Sequence, residues 1–202
     1  MKTLKFEDTA TWKEARRGRI TGSRLKDILV KRGTEKKIGY YELIAERLGL
    51  PADDEDPMER GTRLEPEAII LFEQETGNKV DSSRIIWVRE DNENIAISPD
   101  GHFNNEEDAV EAKCLASSRH IEAYLTKKIP KDYIPQAIQY FAVNDNLKRL
   151  HFAFYDPRLL AKPFFIITIE RHMIEKEIAE ALAYQRDTLA EVVRDINLLS
   201  NF

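Results

Sequence analysis

Alternation of apolar and polar residues marks a set of short strands in the middle and second half of the chain. Residues 95–98 alternate in this way and stop at Pro99, which has no N–H to donate to a sheet. Residues 109–115 follow an acidic turn and are typical of the second strand of a hairpin. Further strands are predicted at residues 85–88, 150–155 and 164–169, the last two as a hairpin.

Apolar residues spaced three or four positions apart predict helices around these strands. One begins at about Pro66, which suits a first helical turn, and is capped by Gly77. Another opens at Ile134 and Pro135 and runs through Val143. The remaining predicted helices are residues 11–17, a segment that Ser23 caps, residues 40–48, a segment from Ser117 or Ser118 to Leu125, and residues 172–199.

The mixture of strands and helices predicts an α/β fold, with a central mixed β-sheet flanked by helices. With 202 residues, of which 42% are hydrophobic, residues 1–202 are expected to form a single domain with a substantial core. Strand order does not follow from the pattern. Repeats, low-complexity segments and linkers are not apparent in the sequence.

The charge distribution leaves two interpretations of the N-terminal region open. The formal net charge is −5. Residues 13–37 nevertheless contain ten Lys or Arg and three acidic residues, a local charge of +7. Such a basic segment is typical of a salt-sensitive DNA contact, because a protein that threads DNA needs a positive passage rather than a positive exterior. The alternative is a solvated helical surface.

Several classes of protein are disfavoured by composition. No stretch approaches the roughly 20 apolar residues that a membrane span needs, and the first eight residues lack an apolar signal region. The one cysteine, Cys114, excludes an internal disulfide and fits a reducing compartment. Four scattered histidines have no zinc-ligand spacing. We therefore expect a cytoplasmic protein without structural zinc.

The strongest chemical signal is the spacing of Asp100, Glu111 and Lys113. Gly101 permits a tight turn after Asp100, and alternation in the next strand places Glu111 and Lys113 on one face, towards Asp100. A magnesium ion would bind the two carboxylates and a backbone carbonyl near Ala112, and the lysine would hold an attacking water. This is the pattern of a metal-dependent nucleic-acid cleavage site. The alternative is a surface hairpin that carries a Glu and a Lys by chance.

Separated motifs in a fixed order resemble those of the lambda-exonuclease or YqaJ-type viral recombinase family, within the PD-(D/E)xK nuclease superfamily. The resemblance covers about residues 12–158. Its motifs are Trp12, Arg16-Arg17-Gly18-Arg19-Ile20-Thr21-Gly22-Ser23, Gly61-Thr62-Arg63-Leu64-Glu65-Pro66-Glu67-Ala68, Phe72, Gly77, Ser98-Pro99-Asp100-Gly101, Glu111-Ala112-Lys113-Cys114, Ser118-Arg119, Tyr133-Ile134-Pro135-Gln136 and Tyr155-Asp156-Pro157-Arg158. The resemblance implies a restriction-endonuclease-like core.

The resemblance also implies catalytic roles. Asp100, Glu111 and Lys113 would form the catalytic core, with Glu65 as a further metal ligand and Gln136 reaching the same cleft. On position alone, Glu65 would instead be a residue at a helix entrance that interacts favourably with the helix dipole. Gln136 would be an exposed residue in the first turn of its helix. The family often has a second glutamine two residues after the first. In this chain the second glutamine, Gln139, is three residues after Gln136, which departs from that pattern.

Other residues are assigned to the substrate by the same resemblance. Arg16 and Ser23 match positions that receive a terminal 5′-phosphate, and a helix N-terminus at Ser23 is itself a good phosphate site. Ser98 and Arg119 are further candidates for DNA contact. Thr21 is either another contact or a buried loop threonine. Met58 sits where the family places an apolar wedge between the strands.

The implied reaction is removal of 5′ nucleotides from one strand of linear duplex DNA, which leaves a 3′ single-stranded overhang. It would use two Mg²⁺ ions, or Mn²⁺, and a 5′-phosphorylated end. Family members are ring-shaped trimers, which implies a homotrimer, and a single-strand annealing protein would be the partner of a phage or prophage enzyme in a bacterial host. The alternatives are a repair or restriction-type endonuclease of the same superfamily and a noncatalytic DNA-end-binding protein.

Overall fold

A computed structural model describes residues 8–17, 19, 27, 28, 30, 33–51 and 55–200. Two 3-10 turns, Lys131–Tyr133 and Arg171–Met173, precede the last two helices. The helices and strands, in chain order, are α1 (Thr9–Arg16), α2 (Ile38–Arg47), α3 (Pro57–Thr76), β1 (Trp87–Arg89), β2 (Asn92–Ile97), β3 (Gly101–His102), β4 (Asp108–Lys113), α4 (Ser117–Thr126), α5 (Ile134–Val143), β5 (Arg149–Tyr155), β6 (Phe164–Glu170) and α6 (Glu175–Ser200).

A four-stranded mixed sheet in the order β3-β4-β5-β6 forms the centre of the fold, as predicted. β4 and β5 are parallel, and the outer pairs β3–β4 and β5–β6 are antiparallel. The hairpin around the acidic turn is present as β3 and β4. Strand β2, which leads into Asp100, belongs to a separate two-stranded sheet with β1. Asp100 therefore lies where the chain passes from one sheet to the other.

Alternation along β4 divides the core between the two faces of the sheet. Val110 packs with Ile69 and Phe72 of α3 on one face. Ala109 packs on the other face with residues of α4, α5 and α6, among them the fully buried Tyr140 and Phe141. The sheet is thus covered by α3 on one side and by three helices on the other.

Helix α3 begins earlier than the sequence predicts. Asp56 caps it by accepting hydrogen bonds from the backbone N–H groups of Met58 and Glu59 at 2.9 and 3.1 Å, and Pro57 occupies the first turn. Pro66 is therefore inside the helix, and Glu65 is in the middle of it rather than at its entrance. The predicted start was wrong because Pro57, preceded by a capping aspartate, carries the same start signal as Pro66.

Two smaller expectations are also corrected. Neither Ser117 nor Ser118 caps α4, since Ala116 is its N-cap and the Ser117 hydroxyl donates to Asp156 Oδ2 at 2.5 Å. Gly101 is the first residue of β3, so it lies in a strand and not in a tight turn of the chain. It is required there because a Cβ atom would come within 2.4 Å of Val80 Cγ1.

The elements with the clearest patterns agree closely with prediction. Helix α5 has the predicted bounds, and strands β5 and β6 each differ by one residue and pair as a hairpin. The N-terminal helix begins at Thr9 and α6 begins at Glu175 after a 3-10 turn. Of the helix expected after Ser23, residues 27 and 28 are described and are helical, and the rest of the predicted segment lies largely outside the described residues. Among the helices of the described segments, none has both the length and the apolar character that a membrane crossing needs.

Candidate active site

Asp100 lies against the middle of strand β4. It follows the exposed Ser98 and the buried Pro99, and its Oδ2 accepts a hydrogen bond from the backbone N–H of Ala112 at 2.9 Å. The crowded glycine that follows brings the chain tightly onto the sheet at this point. The hydrogen bond to a strand amide fixes the carboxylate beside the residues that β4 presents.

Glu111 is the centre of the candidate site. Only 2% of the residue is exposed, and three donors converge on its carboxylate. Lys113 Nζ and Gln136 Nε2 both donate to Oε1, at 2.5 and 2.7 Å, and the Tyr140 hydroxyl donates to Oε2 at 2.5 Å. Burial of a carboxylate is costly without hydrogen-bond partners, and these three donors supply them. Residues from one strand and one helix, α5, are therefore joined through this side chain.

Lys113 is held from two sides. Besides its contact with Glu111, its ammonium group lies 4.7 Å from the centre of the Tyr133 ring, a cation–π arrangement. The side chain is 14% exposed. The amine is thus oriented at the rim of the site, with limited access to solvent.

The carboxyl group of Asp100 is perturbed by its neighbours. Burial raises its pKa most, repulsion from Glu111 raises it further, and the result is a pKa of about 7. The hydrogen bond from Ala112 and the charge of Lys113 oppose these effects, whereas Glu65 adds to them. A cluster of negative charge with this effect on a carboxyl group is typical of a functional site.

Glu65 reaches this cluster from α3, on the other face of the sheet. Burial raises the pKa of this half-buried carboxyl group, and repulsion from Glu111 raises it further. The positive charges of Lys113 and Arg84 lower it. The three predicted carboxylates therefore act on one another, although they come from three separate parts of the chain.

The donor set fits a hard divalent cation. Asp100, Glu111 and Glu65 offer carboxylate oxygens, the ligands that Mg²⁺ prefers, and the Ala112 carbonyl is near them in sequence. Burial is the main cause of the raised pKa values of Asp100 and Glu65, and repulsion from Glu111, which a cation would compensate, adds to it.

The same carboxylates do not form a complete metal cluster. Within the part of the chain that the structure describes, no three His, Cys, Asp or Glu side chains are grouped closely enough to hold an ion. Oε1 of Glu111 accepts from both Lys113 and Gln136. Mg²⁺ takes one or two protein carboxylates and completes its shell with water and substrate phosphate, so it does not require a group of three.

The predicted DNA-contacting residues that the structure describes lie on separate elements. Arg16 ends α1 and is half-buried, whereas Ser23 and Thr21 lie outside the described residues. Ser98 is exposed, and its carbonyl accepts from the Tyr140 hydroxyl at 3.5 Å.

Two further predicted contacts lie on helices. Arg119, on α4, forms an ion pair with Glu122 at 3.0 Å. Met58 projects from the first turn of α3 and is 81% exposed, so it is available to a ligand.

Three residues of the site were missed by the sequence analysis. Tyr140 lies four residues after Gln136, so both are on one face of α5, and this spacing could have identified it. Tyr133 is part of a motif but received no role. Arg84 carries no local signal, because its effect on Glu65 arises only in the folded chain.

Gln139, the second glutamine of α5, is not part of the site. It donates to the carbonyl of Ala96 at 3.2 Å and does not reach Glu111.

The chain is similar to known nucleases in sequence and structure. Residues 11–146 match the YqaJ-like viral recombinase domain, and no curated protein matches the chain. Two crystal structures of LHK-Exo, an alkaline exonuclease from Laribacter hongkongensis, one in complex with dAMP, are each 30% identical over 95% of this chain and 100% of that chain, with a TM-score of 0.56. A phage-related exonuclease from Haemophilus somnus 129PT is 14% identical over 86% of this chain and 94% of that chain, with a TM-score of 0.48.

The domain match covers more than half of the chain, and the similarity to LHK-Exo covers almost all of it. Both support a nuclease role for this fold. The chain belongs to the family of the YqaJ-like viral recombinase domain.

Proposed function

We propose that residues 1–202 act as one nuclease domain, a Mg²⁺-dependent 5′→3′ exonuclease that digests one strand of linear double-stranded DNA. Its product is a 3′ single-stranded overhang for phage-type recombination. The observation that carries the proposal is the contact of Lys113 with the buried Glu111, beside a second carboxylate, Asp100, whose pKa is about 7. An ammonium group and two carboxylates so arranged suit hydrolysis of a phosphodiester.

In this proposal Asp100, Glu111, Glu65 and the Ala112 carbonyl would hold two Mg²⁺ ions, or Mn²⁺. Bound ions would supply Lewis-acid stabilisation of the charge that develops on the phosphate and would lower the pKa of a water. Asp100 must be ionised to take part, because a protonated carboxyl group is a poor ligand.

Other side chains prepare the attacking water. The Lys113 ammonium, fixed between Glu111 and the Tyr133 ring, donates a hydrogen bond to this water and stabilises its deprotonated form. Gln136 donates to one oxygen of the Glu111 carboxylate and Tyr140 to the other, so together they hold this carboxylate in one orientation.

The end of the DNA is recognised by a separate set of contacts. Arg16, Ser23 and Thr21 bind the 5′-phosphate, with Ser98 and Arg119 along the same strand. Met58 separates the two strands as an apolar wedge, in keeping with its exposure at the tip of α3. These assignments rest on the family resemblance.

The assembly we propose is a homotrimeric ring around the DNA, with a single-strand annealing protein as the partner that receives the overhang. Sedimentation of the purified protein tests the ring directly. A trimer has three times the mass of the chain, and a monomer at micromolar concentration would reject the ring.

The activity is tested by release of acid-soluble nucleotides from linear duplex DNA with Mg²⁺. We expect release from 5′-phosphorylated ends, slower release from unphosphorylated ends, and none with EDTA. Lys113→Ala lowers the rate by about 100-fold or more. Lys148→Ala is the matched control, because Lys148 also forms an ion pair with a glutamate, Glu107, at 2.7 Å, but at the opposite end of the sheet.

The outcome of this assay separates the alternatives. End-labelled substrates report the polarity, and loss of the 5′ label first supports the proposal. Rapid cutting of closed circular DNA would instead indicate an endonuclease. Binding of DNA ends without release by either the unmodified protein or Lys113→Ala would indicate a noncatalytic protein.

A further inference from the structure

The backbone that leaves strand β4 is held by two arginines. Residues 114–116 connect Lys113 to helix α4, and Cys114 and Leu115 are buried. Arg60 Nε donates to the carbonyl of Cys114 at 3.0 Å, and Arg158 Nη2 donates to the carbonyl of Leu115 at 3.1 Å. Two successive carbonyls next to the site are thus bonded by charged side chains from distant parts of the chain.

A buried aspartate orients one of these arginines. Asp156, which is 1% exposed, accepts from Arg158 Nε at 2.7 Å through Oδ1 and from the Ser117 hydroxyl at 2.5 Å through Oδ2. Asp156 follows β5, the parallel neighbour of β4, and Ser117 begins α4. The contacts therefore join the end of β5 to the middle of the connection and to the first residue of α4.

The other arginine links the connection to the helix that carries Glu65. Arg60 is 3% exposed and lies five residues before Glu65 on α3, which is about 7.5 Å along the helix axis. Leu64 and Ala68 of the same helix pack against Cys114. The hydrogen bond from Arg60 to Cys114 therefore fixes the position of α3 along the direction of β4. It thereby also fixes the position of Glu65 relative to Glu111.

We propose that Arg60 and Arg158 are positioning residues of the nuclease site, which hold the connection 114–116 so that Glu65, Glu111 and Lys113 keep their mutual arrangement. The inference rests on the proposed function for its catalytic meaning. The structural effect is separate, because it concerns hydrogen bonds within the protein itself. Buried guanidinium groups that only stabilised the fold would be equally useful at any other connection.

The test compares Arg60→Met and Arg158→Met with a matched control, Arg149→Met. Arg149 binds the nearly buried Asp108 at 2.5 and 2.9 Å, but at the opposite end of β4 and β5. The first measurement is hydrogen exchange of the Ala112 amide, which donates to Asp100. We expect at least about tenfold faster exchange in Arg60→Met and Arg158→Met and no change in Arg149→Met.

The second measurement is Mn²⁺ binding by calorimetry, followed by DNA digestion. Groups that hydrogen-bond directly to metal ligands typically change metal affinity by about 10- to 100-fold, and Arg60 and Arg158 act one step further out, so we expect the Kd for Mn²⁺ to rise by about 10-fold. In digestion kcat falls while KM for DNA stays constant. Arg60→Lys, which keeps a charged donor, recovers part of both losses and replaces Arg60→Met if that variant does not fold.

The outcomes of the two proposals are distinct. Unchanged Ala112 exchange and Mn²⁺ affinity in both Met variants, with a loss of thermal stability equal to that of Arg149→Met, would overturn the positioning role. Failure of the unmodified protein to bind Mn²⁺ or digest DNA would overturn the nuclease proposal, while the exchange of Ala112 would still decide whether the arginines position the site.

Discussion

Asp100 is a residue at which the requirements of the site oppose the stability of the fold. Its carboxyl group is drawn into a partly buried position beside Glu111, and these neighbours raise its pKa to about 7. The raised pKa means that the folded chain binds a proton at this site more tightly than the unfolded chain does. Residues retained for ligand binding at such a cost to stability are common in functional sites.

Replacement of Asp100 by asparagine should therefore stabilise the protein at alkaline pH. The folded pKa of about 7 lies above the unfolded value of about 3.8, so the destabilisation by Asp100 develops between these two values and is complete above pH 7. Asp100→Asn should raise the free energy of unfolding by about 2 kcal/mol at pH 8 in EDTA and hardly at all at pH 4, while nuclease activity is lost. Urea unfolding at both pH values measures this, with the exposed Asp187→Asn as control.

The hydroxyl of Tyr140 should contribute to stability through its short hydrogen bond to Glu111. Tyr140→Phe removes the donor that lies 2.5 Å from Glu111 Oε2 and leaves a buried carboxylate oxygen with one partner fewer. Loss of a partner from a buried charged group costs about 1–3 kcal/mol. Urea unfolding at pH 8 should show this decrease, and the exposed Tyr184→Phe on α6 should show none. Equal stability of the two variants would mean that the hydroxyl does not support Glu111.

At the scale of the element, prediction from sequence succeeded where local signals agreed and failed where they competed. Helix α5 was predicted with its observed bounds, because Pro135 fits its first turn and its apolar face is regular. Helix α3 carries two prolines that both suit a first turn, and the packing of Leu64 on the sheet side selects the earlier start. The contact of Tyr140 with Glu111 joins two elements, and its position four residues after Gln136 is the one local feature that could have indicated it.

Helix α3 should become more stable when its internal proline is removed. Pro66 has no N–H to donate to the carbonyl of Thr62, and its ring crowds that carbonyl. Because Pro66 is exposed, Pro66→Ala should restore the bond without loss of core contacts and stabilise the protein by about 1–3 kcal/mol. Thermal unfolding measures the gain, and Gln74→Ala, at another exposed position of the same helix, is the control. A loss of stability on removing Pro66 would show that α3 depends on the proline for its fit to the sheet.

At the scale of the whole molecule, the candidate site exists only because distant elements meet. Glu65 comes from α3 on one face of the sheet, Glu111 from β4, and Gln136 and Tyr140 from α5 on the other face. The unfolded chain cannot bring these groups together. A cation that binds them therefore binds the folded state selectively and adds its binding free energy to the stability of the fold.

Mg²⁺ or Mn²⁺ should accordingly raise the melting temperature, and the increase should depend on pH. The proton on Asp100 competes with the cation, so the increase should be small at pH 6, where this carboxyl group is mostly protonated, and larger at pH 8. At a metal concentration of 100 times Kd, the added stability is about 2.7 kcal/mol. Differential scanning calorimetry with and without EDTA measures it, and Asp100→Asn should remove most of the effect. An increase of the same size at both pH values, retained in that variant, would place the cation elsewhere on the molecule.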